Sequence, residues 1–162
     1  MTETSALRAG LQNALPGLAR MFRDPWWIIG SAAMALRGVP DIAPQDIDVL
    51  CSCDDAAALR TAWANHIDPA YRPPDEMRFR SAFARFTHLP MPLEVMGGLE
   101  VMTPDGWRPL RVQDDAVLDL EGHAVRVPAL TEQQRIFNLF GRPKDLAKAA
   151  RIATFLEHDH VA

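Results

Sequence analysis

Length, composition and charge limit the kinds of protein this chain can be. Its 162 residues, of which 48% are hydrophobic, suit a single globular domain over 1–162 with a sizeable core. The formal net charge of −4 argues against long nucleic acid as a partner. No apolar run approaches a membrane span, and the N-terminal segment lacks the basic and apolar regions of a secretion signal. We therefore expect a cytoplasmic protein with no membrane partner.

The chain opens with a predicted packing helix. Its apolar residues recur at helical spacing: Leu7, Leu11, Leu15, Leu18 and Phe22. Pro16 lies inside this run and is expected to kink or split the helix, because proline lacks the amide hydrogen that a helix interior needs. The bulky apolar run 26–29 then predicts a buried strand, and the strong helix formers at 32–37 predict a helix directly after it.

The turn between that strand and that helix is a candidate phosphate site. Gly30 and Ser31 occupy the turn. A turn of this kind brings backbone N–H groups, a hydroxyl and a helix N-terminus to one spot, and that combination attracts phosphate. Gly30 also allows a ligand to approach the backbone closely, because glycine has no side chain.

An acidic strand is predicted next, at 45–51. Asp46 and Asp48 alternate with Ile47 and Val49, as in a strand with one buried face. Both carboxylates should therefore point to the same side, with their residues about 6.6 Å apart along the strand. Two carboxylates so placed can converge on one or two divalent ions. An Asp-x-Asp pair also occurs on solvated faces of edge strands, so the surrounding sequence decides its meaning.

Beyond the acidic strand, periodicity predicts one more helix and then a run of strands. Asp54 or Asp55 is expected to cap the helix, which extends to about residue 65. Turn residues separate the strands that follow. The predicted strand pairs are 77–87 with 91–96, 99–102 with 107–112, and 117–120 with 124–127.

Two helices are predicted at the C-terminal end, over 131–158. Thr131 and Gln134 form a capping-box pattern for the first helix, and Pro143 opens the second. Each helix carries one apolar face, which we expect to cover the sheet. The domain core is therefore predicted over 24–128, with the C-terminal helices packed on it.

The ordered motifs of residues 24–96 resemble the DNA polymerase β-like nucleotidyltransferase superfamily. Members show an apolar residue, Gly, then Gly or Ser, a short helix, and an acid-apolar-acid strand. Two segments match that pattern position by position: Ile29-Gly30-Ser31 and Asp46-Ile47-Asp48-Val49. The 14 residues between Ser31 and Asp46 are slightly more than usual, so we expect an extra turn at 39–44. In size the chain is similar to small bacterial members, which include aminoglycoside nucleotidyltransferases and toxin or antitoxin nucleotidyltransferases of the abortive-infection kind.

The resemblance implies a metal site built from three carboxylates. Asp46 and Asp48 would hold the ions that bridge the phosphates of a nucleoside triphosphate, and Gly30 with Ser31 would bind its β- and γ-phosphates. The family's third carboxylate lies on a later strand flanked by apolar residues, and Glu94 is the best candidate. Glu94 would complete the shell of a catalytic Mg²⁺ (or Mn²⁺) and help activate an acceptor hydroxyl. An ion-paired glutamate on an edge strand is the alternative interpretation.

A triphosphate needs cations besides its metal ions, and three side chains are candidates. Arg80 and Arg85 have opposite parities in one predicted strand, so only one of them should face the site, and which one is left open. Lys144 lies in the run 142–145, which resembles an Arg-x-Lys-Asp segment that opens a helix in some relatives. Those relatives often carry a second aspartate three residues after the first, where this chain has Lys148.

The resemblance therefore implies a small α/β (α+β) nucleotidyltransferase fold with a mixed β-sheet flanked by helices. The implied reaction is metal-dependent transfer of a nucleoside monophosphate from a nucleoside triphosphate, such as ATP, to a hydroxyl of a small molecule or protein, with release of pyrophosphate. One alternative is a catalytically silent binding module of the same fold, acting as an antitoxin-like partner in a toxin-antitoxin pair or as a nucleotide sensor. A second alternative is an unrelated α+β domain with chance motifs.

Overall fold

A computed structural model describes residues 3–159, in which seven strands form one mixed sheet. The strands are β1 (Trp27–Ile29), β2 (Ile47–Cys51), β3 (Phe79–Phe86), β4 (Leu93–Thr103), β5 (Gly106–Pro109), β6 (Asp115–Leu120) and β7 (His123–Pro128). The helices of the same residues are α1 (Glu3–Met21), α2 (Gly30–Leu36), α3 (Cys53–Ala62), α4 (Leu130–Phe140) and α5 (Pro143–Asp159), with a 3₁₀ turn at Ala64–His66.

The sheet has the order β3-β4-β2-β1-β7-β6, and β5 pairs with β4. Two pairs are parallel, β2 with β4 and β1 with β7, and the others are antiparallel. The predicted mixed sheet is therefore confirmed. Within residues 3–159, no helix is both long and apolar enough to cross a membrane.

Two apolar layers cover the two faces of the sheet. Val49 and Leu50 are adjacent in β2 and enter different layers, because successive strand residues point to opposite faces. The layer around Val49 contains side chains of α1 and α3, such as Leu15 and Leu59. The layer around Leu50 contains side chains of α4 and α5. The C-terminal helices therefore pack on the sheet, as the sequence predicted.

Helix α1 runs without a break through Pro16. The expectation that Pro16 would split this helix was wrong. Pro16 is exposed, whereas Leu15 and Leu18 are buried against the core. Burial of such leucines contributes roughly 1.5 to 3 kcal/mol each, which offsets the backbone hydrogen bond that proline removes.

The cap of α3 also differs from the prediction. Ser52 caps the helix, since its hydroxyl accepts a hydrogen bond from the backbone N–H of Asp55 at 3.0 Å. Asp55 is buried, and its carboxylate accepts the backbone N–H groups of Arg23 at 3.0 Å and Asp24 at 2.9 Å. Asp55 therefore ties the segment after α1 to α3 and does not cap its own helix.

Helix α4 begins without the predicted capping box. It starts at Leu130, and Ala129, which occupies the cap position, makes no side-chain hydrogen bond to the helix. Thr131 is exposed, and the buried carboxylate of Glu132 accepts the backbone N–H of Gln113 at 2.5 Å. The prediction was wrong because the helix starts two residues earlier than a cap at Thr131 required, with Ala129 at the cap position.

The predicted strands 91–96 and 99–102 are one continuous strand, β4. It pairs with β3 on one side and with β2 and β5 on the other, so the predicted pairings of both segments are present. An extra residue bulges from β4 at Gly98, whose φ is 60°, between the register pairs Ala82↔Gly97 and Arg80↔Glu100. The hairpin of β6 and β7 lies where it was predicted. The loop before β2 contains the expected extra turn, at 40–41.

Candidate active site

Three carboxylates converge where β2 and β4 begin. Asp48 and Glu94 are register partners on these parallel strands, and Asp46 directly precedes β2. One carboxylate oxygen from each of the three residues lies within 4.8 Å of the others. Asp46 and Asp48 therefore point to the same side, as the alternation predicted, and Glu94 joins them across the strand pair. We refer to Asp46, Asp48 and Glu94 as the carboxylate triad.

Gly30 lies against this triad at the end of β1. Its φ is 74°, in the left-handed region that side chains disfavour. A Cβ at this position would lie 2.7 Å from Oδ2 of Asp48, closer than such atoms can approach. The residue must therefore be glycine for two separate reasons. Ser31 follows at the start of α2 and lines the cavity beside the triad.

The triad has an excess of negative charge. Burial raises the pKa of Asp48 well above its usual range, and the charges of Asp46 and Glu94 raise it further. Burial also raises the pKa of Glu94, although a hydrogen bond from Arg85 acts in the opposite direction. Oδ1 of Asp48 is buried and has no hydrogen-bond partner among the described residues. Three hard oxygen donors and an unpartnered buried oxygen fit a divalent cation such as Mg²⁺.

The two candidate arginines differ in where they point. Nη1 of Arg85 lies 2.5 Å from Oε2 of Glu94 and 3.5 Å from Oδ2 of Asp46. The guanidinium of Arg80 binds Glu100 at 2.8 Å and lies 4.4 Å from the centre of the Trp107 ring. Arg85 is therefore the arginine whose charged group reaches the triad. Arg80 lines the cavity beside the triad, but its charge is paired with Glu100.

A cavity of about 460 Å³ extends from the triad. Its apolar wall comes from β1, β3, β4 and α4: Ile29, Phe79, Phe83, Met96, Leu99, Phe137 and Phe140. Tyr71 and the loop residues Pro73 and Pro74 form another side. Sequence reasoning did not find these residues, because side chains of loops and core strands carry no motif that marks them as site residues.

Two lysines of α5 border the cavity one helical turn apart. Lys144 was predicted from its motif, whereas Lys148 was noted only as a departure from the relatives' pattern. Burial lowers the pKa of Lys148, and the charges of Asp145 and Asp48 partly oppose that shift. Its spacing of four residues from Lys144 was the available signal, because residues so spaced share a helix face.

The start of α5 is fixed by an arginine and a buried aspartate. Nε of Arg142 lies 2.6 Å from Oδ2 of Asp145, and Nη2 donates to Oδ1 at 3.0 Å. Arg142 also pairs with Asp75 at 3.2 Å and stacks on Phe79 at 4.8 Å. These contacts of Asp145 hold the start of α5 in place. Both lysines are thereby positioned beside the cavity.

Comparison with known proteins gives structural matches only. No family model matches the chain, and no curated protein matches it. A candidate nucleotidyltransferase from Thermotoga maritima is 20% identical with a TM-score of 0.71, and the match covers 98% of this chain and 96% of that one. The lincosamide antibiotic adenylyltransferase LnuA, solved with lincomycin, is 12% identical with a TM-score of 0.55, over 89% of this chain and 94% of its own.

The antibiotic-resistance factor ANT(2'')-Ia is a third match, 12% identical with a TM-score of 0.54, over 94% of this chain and 84% of its own. These likenesses extend along nearly the whole chain, at low sequence identity. They confirm the fold that the motifs at Gly30 and Asp46 predicted. The chain has the nucleotidyltransferase fold.

Proposed function

We propose that this protein is a metal-dependent nucleotidyltransferase that moves a nucleoside monophosphate from a nucleoside triphosphate to an acceptor hydroxyl and releases pyrophosphate. The observation that carries the proposal is the convergence of Asp46, Asp48 and Glu94 within 4.8 Å, at the end of the strand that leads into Gly30. A structural role for three crowded acids is unfavourable, because their mutual repulsion and desolvation destabilise the folded state.

The triad would hold one or two Mg²⁺ or Mn²⁺ ions, which would supply positive charge to the phosphates and to the acceptor oxygen. Gly30 and Ser31 would contact the β- and γ-phosphates through the backbone N–H groups and the hydroxyl. Lys144 and Arg85 would supply further positive charge to the triphosphate. Arg80 is engaged with Glu100 and Trp107, so we assign it no contact with the nucleotide.

We propose ATP as the donor and a small molecule as the acceptor. Two of the structural matches are named for antibiotics, one as an adenylyltransferase solved with lincomycin. A cavity of about 460 Å³ is within the range of small-ligand sites, and its apolar wall suits an acceptor with a hydrophobic face. A protein acceptor and a toxin-antitoxin partner stay predictions from the sequence.

The test is a transfer assay with α-³²P-labelled ATP, Mg²⁺ and a panel of small hydroxyl compounds that includes lincomycin. We expect pyrophosphate release that depends on both Mg²⁺ and an acceptor, together with a labelled product. Asp48→Asn should reduce the rate at least about a thousandfold, the scale of loss expected when a group essential to catalysis is removed. Acceptor-independent or Asp48-independent release would reject the proposal.

A catalytically silent nucleotide-binding module is the second candidate. One observation favours it: Arg85 already contacts Glu94 and Asp46, two of the three acids that a catalytic metal would need. Such a module would bind a triphosphate without forming product. If the protein binds a triphosphate but releases no pyrophosphate with ATP, GTP, CTP or UTP and any compound of the acceptor panel, the result would favour this candidate over the enzyme.

A further inference from the structure

Arg85 occupies an unusual position for a phosphate-binding residue. It is the register partner of Glu94 in the β3–β4 pair, and its Nη1 contacts Glu94 at 2.5 Å and Asp46 at 3.5 Å. On its other side the guanidinium lies 4.8 Å from the centre of the Tyr71 ring. Its side chain is only 21% exposed, so it is enclosed between the triad and this ring.

Arg85 contacts two of the three acids of the triad and forms no ion pair with the third, Asp48. Arg85 forms ion pairs with Glu94 and Asp46, whereas Oδ1 of Asp48 has no partner among the described residues. Asp48 is also the acid that lies against Gly30. Among the described residues, Arg85 is the one whose side chain forms ion pairs with the triad.

A divalent cation held by the triad and the guanidinium of Arg85 would share two carboxylates, Glu94 and Asp46. Mg²⁺ binds carboxylate oxygens at about 2.0 to 2.1 Å. If it bound the oxygens that Arg85 now contacts, the ion and Nη1 would lie within about 5 Å of each other. Two like charges at that distance repel, and burial strengthens the repulsion. The affinity of the triad for a divalent cation should therefore be lower while Arg85 contacts Glu94 and Asp46.

A triphosphate offers Arg85 an alternative partner. The guanidinium contacts Glu94 and Asp46 and lies over the Tyr71 ring, and all three of these residues line the cavity. Planar bidentate contact with phosphate oxygens is the interaction that arginine favours. We propose that Arg85 is the resident counter-ion of the carboxylate triad, which keeps the affinity for a divalent cation low until a triphosphate takes the guanidinium. This inference rests on the proposed function, because it requires that the triad binds a metal.

The substitution Arg85→Gln separates this role from a purely structural one. We expect it to tighten Mn²⁺ binding in the absence of nucleotide by about tenfold or more, since a charge this close shifts carboxylate equilibria by 1 to 3 units of log K. The same substitution should weaken the binding of inorganic triphosphate measured in EDTA. A structural role would weaken both. Free Mn²⁺ is measured by electron paramagnetic resonance and triphosphate by calorimetry.

Arg80→Gln is the matched control. Arg80 lies in the same strand and forms one ion pair, with Glu100, but its charge does not reach the triad. The substitution Arg80→Gln should leave the Mn²⁺ affinity of the protein unchanged. Equal Mn²⁺ affinities of the wild type and Arg85→Gln would overturn the inference. Equal Mn²⁺ affinities of the wild type and Asp48→Asn would instead reject the metal site itself, and with it the proposed function.

The wild-type protein gives a second test that does not depend on a folded variant. Mg²⁺ should shift the Nε–H NMR signal of Arg85, because the ion displaces its guanidinium, and should leave the signal of Arg80 unchanged. An Arg85 signal that stays constant at a Mg²⁺ concentration that saturates the site would also overturn the inference.

Discussion

Gly30 and Asp48 are crowded against each other in the site, and the reasons are local. Gly30 has a φ of 74° and has no room for a Cβ, because Oδ2 of Asp48 would lie 2.7 Å from it. Asp48 in turn is crowded by two other acids. If the triad binds a cation as proposed, this arrangement gains cation affinity at the expense of stability in the metal-free protein.

Gly30→Ala should destabilise the protein by more than the left-handed backbone alone requires. Gly38→Ala is the control, since Gly38 has a φ of 87° but no atom within 4 Å of an added Cβ. The backbone strain should cost about 1 kcal/mol at either position. Urea unfolding should give a larger loss for Gly30→Ala, together with weaker Mn²⁺ binding. Equal losses and intact binding would contradict the close contact with Asp48.

Asp48→Asn should stabilise the metal-free protein at neutral pH while abolishing metal binding. The pKa of Asp48 is raised in the folded protein, so the native state binds more protons than the unfolded chain above the ordinary pKa of 3.8. Its contribution to stability is complete below that pH and is lost as the pH rises through the folded pKa. Asparagine carries no charge and removes this loss.

Urea unfolding in EDTA at pH 5 and pH 7.5 measures the effect. The advantage of Asp48→Asn over wild type should grow with pH, by about 1.4 kcal/mol for each unit by which the pKa of Asp48 is raised. Mg²⁺ should stabilise the wild type alone. A variant less stable than wild type at pH 7.5 in EDTA would mean that Asp48 is not under electrostatic strain.

At the scale of elements, prediction was accurate where the signal is local. The alternation of Asp46, Ile47, Asp48 and Val49 correctly predicted both the strand β2 and the shared direction of the acids. The caps were predicted wrongly because a cap pattern does not reveal a distant competitor. Asp55 bonds to backbone groups about thirty residues away, beyond α1, and Ser52 caps in its place.

Asp55→Ala should therefore destabilise the protein by more than the loss of a helix cap does, because it breaks the link between α3 and the segment after α1. It leaves two backbone N–H groups without their charged acceptor, at a cost of about 2 to 4 kcal/mol. Asp54→Ala is the control, because Asp54 is exposed at the same helix start, and it should change stability by no more than about 1 kcal/mol. Urea unfolding gives both values, and similar losses would show that Asp55 acts only through the helix dipole.

At the scale of the whole molecule, the sheet brings together residues that are far apart in sequence. The order β4-β2-β1 places Glu94 beside Asp48 and Gly30, so the motif residues meet as the resemblance implied. Tyr71 reaches the same cavity from a loop, and only the folded chain reveals it. Lys148 reaches the cavity from α5, and its helical spacing from Lys144 was a signal in the sequence. A sequence motif can identify candidate metal ligands, whereas the walls of the cavity depend on packing between elements.

The central claim is that the carboxylate triad binds a metal-triphosphate complex. The most direct measurement is a thermal-unfolding titration of the wild type and Asp48→Asn with ATP, GTP, CTP and UTP, with and without Mg²⁺. We predict a Mg²⁺-dependent stabilisation of the wild type by at least one nucleotide, about 2.7 kcal/mol at 100 times its Kd, and none for Asp48→Asn. No stabilisation of the wild type, or equal stabilisation of both proteins, would contradict the assignment of the site.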